Sequence, residues 1–364
     1  MKRLHNIYNK FISLDNFKLA YKKALKGKKN RKFDFINKFS PDLDNKLTEI
    51  IDLIKNKTYK AGPYSIFYVT RPKLRKICVA PFRDRIIHHA LINILEERFE
   101  KYMIPNSFAC RKGKGIDLAL KTARKYCGKY KWFLKLDVTK YFDNIDHDLL
   151  YNTLNRLIKD KNVLWVIKNI IYSYNKNSTG VPIGNLTSQY FANIFLTGMD
   201  HFIKEQLKVK GYCRYMDDFI IFSDTKEELY NNLIKIKEYI YNKLKLSLHE
   251  PVINKVSNGI PFLGFRVYKN KIKLLKKSKQ NFKNKLKVYC KKLEEDEIDV
   301  SEFKHSMFSV LGHVYRANSF NFIQNHCKKA GDLGYDFFIY SFYLHKCKFN
   351  INVKKNNGLS SVCC

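Results

Sequence analysis

The segment Gly211-Tyr-Cys-Arg-Tyr-Met-Asp-Asp-Phe-Ile-Ile-Phe222 constrains this chain more than any other. Two apolar, β-prone arms surround adjacent carboxylates, Asp217 and Asp218, so a hairpin with both acids at its tip is expected. Beside Tyr215, Met216, Phe219 and Ile220, two like charges raise each other's pKa and cost energy unless a cation lies between them. Asp is also an ordinary turn residue, and alone the pair reads as turn chemistry. A third acid changes that reading. Trp132-Phe-Leu-Lys-Leu-Asp-Val138 is a buried-type strand carrying Asp137 near its end. Distant strands that present carboxylates at one edge make a site for hard divalent ions.

Charge supplies the partner. Sixty-nine Lys and Arg against 33 Asp and Glu leave +36 on 364 residues, and self-repulsion of that size implies a polyanion that neutralises it. Aromatics at 15% and hydrophobics at 45% exclude a disordered basic tail. In so basic a chain the natural work of paired Mg²⁺ is phosphoryl transfer. One ion lowers the pKa of an attacking hydroxyl and the other stabilises the departing phosphate.

Three regions are expected: a basic helical extension over 1–60, a central 61–265, and a basic helical 266–364. In the first, Leu19 and Leu25 read as packing points. Tyr64 to Thr70 and Ile77 to Ala80 are extended runs around the basic turn Arg71-Pro-Lys-Leu-Arg-Lys76, which predicts a hairpin with a cationic tip. Helices are expected over 86–99 and 190–199. Asp146 reads as an N-cap, and Asp224-Thr-Lys-Glu227 as a capping box before the stripe Leu229, Leu233, Ile236, Ile240 and Leu244. A basic amphipathic helix is expected over 271–287.

These blocks carry a resemblance. Tyr215-Met-Asp-Asp218 and Leu136-Asp-Val-Thr-Lys-Tyr-Phe-Asp143 resemble motifs C and A of reverse transcriptases. Arg71 to Pro81 with Asp84-Arg85 resembles the fingers motifs, and Ser107 to Gly115 the block after them. Ile183-Gly-Asn-Leu-Thr-Ser-Gln189 resembles motif B, Lys255 sits where motif D carries its lysine, and Phe262-Leu-Gly-Phe265 resembles the primer grip. Where many such enzymes show Pro-Gln-Gly and then Ser-Pro, this chain has Pro182-Ile-Gly184 and Ser188-Gln189, which resembles the enzymes of diversity-generating retroelements. The resemblance implies an α+β right-hand fold with fingers, a palm built on an antiparallel sheet, and a helical thumb. It implies copying a structured template RNA from a DNA primer into cDNA mutated at template adenines, for transfer to a target gene, beside a small basic multimeric accessory protein. Group II intron, retron and defence-associated enzymes are the nearest alternatives, and an RNA-binding module without catalysis is the alternative of another class.

On that frame Asp137 and Asp217 are expected to hold two Mg²⁺ ions, or Mn²⁺ as substitute, with the Val138 carbonyl assisting and Asp218 a weaker ligand. Tyr141, or alternatively Phe142, would floor the sugar pocket, and Ile183 and Gly184 would border the nascent pair. Lys73 and Arg75 should grip the triphosphate. Arg111 should contact the template backbone, Ser188 and Gln189 the template or nascent pair, and Phe262, Leu263 and Gly264 the primer. Lys255 is the candidate general acid for pyrophosphate, with an ordinary surface lysine close behind.

Nine cysteines without a Cys-x-x-Cys pair fit a reducing cytoplasm better than a disulfide framework. The start, Met-Lys-Arg-Leu-His-Asn, lacks a signal peptide's apolar stretch, and no run of ~18 apolar residues predicts a membrane span.

Overall fold

The computed structural model describes residues 3–26, 42–70, 74–174 and 177–331. Its packing forms two units: residues 1–123 with 130–255, and residues 124–129 with 256–364. Lys73, predicted to meet the triphosphate, lies outside the described residues.

The first unit opens with three helices, α1 (Tyr8–Phe11), α2 (Leu14–Leu25) and α3 (Leu43–Lys55). Asn16 fastens α2 from inside, donating to the carbonyls of Phe11 and Ala90 at 2.8 and 3.1 Å. The apolar face of α2 is Phe17, Ala20, Tyr21 and Ala24, while Leu19 is 46% exposed. The expected packing role of Leu19 therefore fails, because at 100° per residue it falls off the stripe that these four set. The hairpin β1 (Ser65–Val69) and β2 (Arg75–Val79) follows, with Val69 opposite Arg75 at the end where the strands are connected. Next come α4 (Phe82–Tyr102) and α5 (Ile116–Cys127).

The palm sheet has the order β4-β5-β3-β6 and is antiparallel throughout, with β3 at Trp132–Asp137, β4 at Gly211–Tyr215, β5 at Asp218–Ser223 and β6 at Val252–Lys255. Leu134 and Leu136 point into the core, so Lys135 and Asp137 share the opposite face. Residues 106–108 cover the outer edge of β4, where Arg214 N donates to Asn106 O and Phe108 N to Arg214 O, both at 2.9 Å. Helices α6 (Tyr141–Asn144), α7 (His147–Asn155), α8 (Lys161–Tyr172), α9 (Leu186–Phe195), α10 (Thr197–His201) and α11 (Lys226–Leu244) complete the unit.

Asp146 caps α7 as expected, accepting from Leu149 N at 2.9 Å. The cap of α11 falls one residue later than the sequence predicts. Thr225 accepts from Glu228 N, and the Glu228 carboxylate turns to Ser223 Oγ. Of the predicted stripe, Leu229, Ile236, Ile240 and Leu244 are buried.

The second unit carries the antiparallel sheet β7 (Ile260–Phe262), β8 (Phe265–Val267) and β9 (Ile272–Leu274), then α12 (Lys276–Glu294), α13 (Val300–Val314) and α14 (Phe320–Lys328). The basic helix thus begins at Lys276, because Ile272–Leu274 pairs with β8. Phe282, Leu286 and Cys290 form its buried face. Among the described residues no helix is long and apolar enough to cross a membrane.

One carboxylate joins the start of the chain to the sheet's flank. Asp160 Oδ2 accepts from Ile7 N and Tyr8 N at 3.1 and 3.0 Å, while Oδ1 caps α8 through Asn162 N and Val163 N. Asp160→Ala removes partners from both helix starts and is expected to cost about 2 kcal/mol in denaturant unfolding. Asp160→Asn, which keeps an acceptor oxygen, should recover more than half of that loss.

Candidate active site

Two residues, Met216 and Asp217, join β4 to β5, with Tyr215 opposite Asp218. Met216 has φ +58°, a left-handed conformation that the first position of a tight hairpin demands and an L side chain adopts at a cost. Arg214 holds it there. Its buried guanidinium donates to the Met216 carbonyl and to Asn193 Oδ1, both at 2.9 Å, and to both oxygens of Asp200. The Tyr212 hydroxyl donates to the same Asp200 carboxylate at 2.7 Å. Burial works against the charge on Arg214, and Asp200 more than offsets it, so the guanidinium's pKa lies above its ordinary value.

Above this support the three acids converge. Asp137 on β3 lies directly opposite Asp218 on β5, which places their Cα atoms roughly 5 Å apart. Burial raises the pKa of Asp217 and Asp137 adds to it, against the opposing pull of Arg75 and Arg214. Burial pushes Asp218 up to about 7, even though Lys135 pulls it down. Lys135 Nζ lies 3.1 Å from Asp218 Oδ1, within ion-pair range, yet that oxygen has no hydrogen bond of good geometry. Asp137 O accepts from His249 N at 2.9 Å, and Val138 bridges Leu248. Backbone polarity alternates along a strand, so the Val138 carbonyl points the other way, toward the tip.

Among the described residues no three His, Cys, Asp or Glu side chains form a ready-made metal cage. Mg²⁺ takes one or two protein carboxylates and completes its shell with phosphates and water. Mutually repelling, half-buried carboxylates with oxygen donors only, one oxygen of which has no hydrogen bond of good geometry, fit Mg²⁺ or Mn²⁺. Asp218, held by Lys135, is the least available of the three.

Other predicted residues sort by where their side chains go. Arg75 is exposed on β2 and its charge reaches Asp217. Phe142 is half-buried, whereas Tyr141 is 2% exposed and its hydroxyl donates to Ala192 O inside the core. Tyr141 therefore cannot floor a sugar pocket. Arg111 is corrected likewise. Its side chain is 5% exposed and saturated by Glu100, Ile104 O and Ser107 O, so no guanidinium edge is left for a template phosphate. Ser188 is buried on α9 and Gln189 exposed, so of these two only Gln189 is open to a strand.

Lys255 pairs with Trp132, at the far end of β3 from Asp137, and its Nζ lies 5.6 Å from the Trp132 ring centroid. Five residues of strand separate it from the acids by about 17 Å, so it is not the general acid. In the second unit Phe262 is buried, leaving Leu263 (φ +52°) and Gly264 (φ +88°) as the half-exposed turn of the β7–β8 hairpin.

The sequence reading missed Arg214, Asp200, Asn193 and Lys135. The signal for Arg214 was a lone arginine inside an otherwise uncharged strand, which, when buried, requires a buried acid somewhere else.

The Asp218 shift gives stability a pH dependence. The folded carboxyl binds its proton up to about pH 7, the unfolded one only to its ordinary value near 3.9. Asp218 thus contributes most below pH ~4, and this contribution is lost as pH rises toward 7. With metal chelated, Asp218→Asn should gain melting temperature relative to the parent as pH rises from 4 to 7.5. A gap that stays constant across that range would contradict the assignment.

Residues 60–323 match the family described as reverse transcriptase (RNA-dependent DNA polymerase). Over a 310-residue alignment the chain is 26% identical to the group II intron-encoded protein LtrA of Lactococcus lactis subsp. cremoris, covering 65% of this chain and 52% of that protein. It is 27% identical over 251 residues to a putative COX1/OXI3 intron 1 protein of Saccharomyces cerevisiae, covering 63% of this chain and 30% of that one. The chain therefore spans about half or less of these relatives' length. Apo telomerase from Candida tropicalis shares the fold at a TM-score of 0.51 and 14% identity, over 82% of this chain and 63% of that one. The match takes in most of the chain, including both strands that carry the acids, and the protein belongs to the reverse transcriptase (RNA-dependent DNA polymerase) family.

Proposed function

We propose that this protein is an RNA-directed DNA polymerase of the mutagenic retroelement type, copying a structured template RNA into cDNA from a DNA primer and deoxynucleoside triphosphates. The observation that carries the polymerase reading is Asp137 opposite Asp218, beside Asp217, at one end of the two central strands of a +36 protein. Few acids set among many bases suit a reaction whose substrates are all polyphosphates.

In the reaction the primer 3′-oxygen bonds to the α-phosphorus while the bond to the bridging oxygen breaks, and pyrophosphate leaves. Asp137 and Asp217, with the Val138 carbonyl, would hold Mg²⁺, which when bound supplies Lewis acidity to both oxygens. Arg75 meets the triphosphate's charge. Phe142, fixed by the Val181 N bond to its carbonyl at 2.8 Å, would bar a 2′-hydroxyl. Arg214 keeps the tip in shape. Gln189 would face the template, Leu263 and Gly264 the primer, and the lysines of α12 the duplex phosphates, giving salt-sensitive, sequence-independent affinity.

The subtype rests on Ile183, where a glutamine would offer a hydrogen bond near the nascent pair. Losing about 0.5–1.5 kcal/mol of polar contact relaxes discrimination from a few-fold to about tenfold. A small basic accessory protein belongs to this reading, and buried thiols such as Cys78 and Cys213 accord with a reducing cytoplasm. A group II intron enzyme is the second reading, favoured by the intron-encoded relatives.

Primer extension on defined RNA separates these readings. Asp217→Asn should lower the rate about 10³-fold or more with RNA affinity kept within about twofold. Errors concentrated at template adenines would support the retroelement type, and uniform copying with the native RNA and partner present would favour the intron type. Phe142→Ala should raise ribonucleotide use about 10- to 100-fold. Tyr141→Ala should instead destabilise the fold by about 3–5 kcal/mol, with sugar selection unchanged.

A further inference from the structure

The backbone of the fingers strand is fastened to the floor of the nucleotide pocket by one side chain to which no role has yet been given. Asn185, 2% exposed, follows Ile183 and Gly184 in the loop before α9. Its Oδ1 accepts from Ala80 N at 3.0 Å and its Nδ2 donates to Cys78 O at 2.9 Å. Cys78 N donates to Ile183 O at 2.8 Å. The side-chain amide thus acts as an extra peptide group, continuing a ladder that the main chain begins.

Gly184 makes the close approach possible. It has φ +118°, and a Cβ there would lie 2.9 Å from Ile77 Cγ2 and 3.1 Å from Cys78 O. Ile77 and Arg75 alternate onto one face of β2, so the strand pressed against this loop is the one that carries Arg75 toward Asp217. The clasp lies three residues from Arg75, a lever of about 10 Å.

We propose that Asn185 is a positioning residue that fixes the distance between the fingers strand and the pocket floor, and so sets how tightly a correctly paired deoxynucleotide is held over a mispaired one. This rests on the polymerase reading above. Asp at this position keeps the acceptor but loses the donor, Ala loses both, and Gln carries the amide a methylene too far. Each leaves a buried backbone group of Cys78 or Ala80 without its partner.

Steady-state single-nucleotide extension with the full chain tests it. Asn185→Ala should raise KM for the matched deoxynucleotide about tenfold, change kcat less than about threefold, and increase misincorporation several-fold. Gly184→Ala, which pushes the same strand away by another route, should give the same split. Amide exchange supplies an arm that needs no catalysis: Asn185→Ala should lose protection at Ala80 and across 75–79 while β3 and β5 keep theirs. A fall in kcat with KM and error rate unchanged would overturn the proposal, as would unchanged exchange at Ala80. A parent protein that extends no primer would defeat the polymerase reading, and the exchange result would still decide whether Asn185 holds the strand.

Discussion

The acidic tip depends on a cation buried beneath it. A two-residue hairpin at Met216-Asp217 puts Met216 at positive φ, where an L side chain is strained, and it does so beside Asp137, which faces Asp218 from β3. Arg214 answers both difficulties. Its guanidinium pins the Met216 carbonyl, and its charge, returned by Asp200 on α10, offsets part of the repulsion at Asp217. Removing one partner of such a pair typically costs about 3–5 kcal/mol because the other charge is left buried. The shape of the tip is therefore set by residues buried beneath it, with Asn193, Ser107 and Tyr212 completing the hydrogen bonds around them.

The rest of the first unit extends the same arrangement outward. Lys135 restrains Asp218 from the sheet face, leaving Asp137 and Asp217 as the acids best able to take a cation. Arg75 approaches from the fingers strand, whose spacing is held by the Ile183–Asn185 loop. Charge is thus graded. It is paired at Arg214 and Asp200 beneath the tip, partly paired at the tip itself, and in net excess over the whole chain.

Much of this was legible in the sequence because it rests on local pattern. The palm strands, the fingers hairpin, the Asp146 cap and the apolar face of α11 follow from alternation, turn chemistry and helical spacing, and the three acids follow from their place on strands. What failed depended on where a side chain turns. Tyr141 and Phe142 are neighbours that only the start of α6 separates, the one into the core and the other half-buried at its margin. Arg111 is one more exposed-looking arginine until Glu100 is found beside it. Lys255 was matched by order in the chain, whereas antiparallel pairing with Trp132 carries it to the wrong end of β3. Arg214 and Asn185 act through partners 14 and 107 residues away, and such pairings cannot be read from one sequence.

The central claim is that acids from separate strands share divalent cations at the end of a nucleic-acid duplex. Mn²⁺ binding measured by electron paramagnetic resonance, with a terminated primer on RNA and a matched deoxynucleotide present, tests it most directly. The account predicts two ions per chain, falling to one or none in Asp137→Asn and in Asp217→Asn while the duplex stays bound. Unchanged Mn²⁺ stoichiometry in both variants would contradict it.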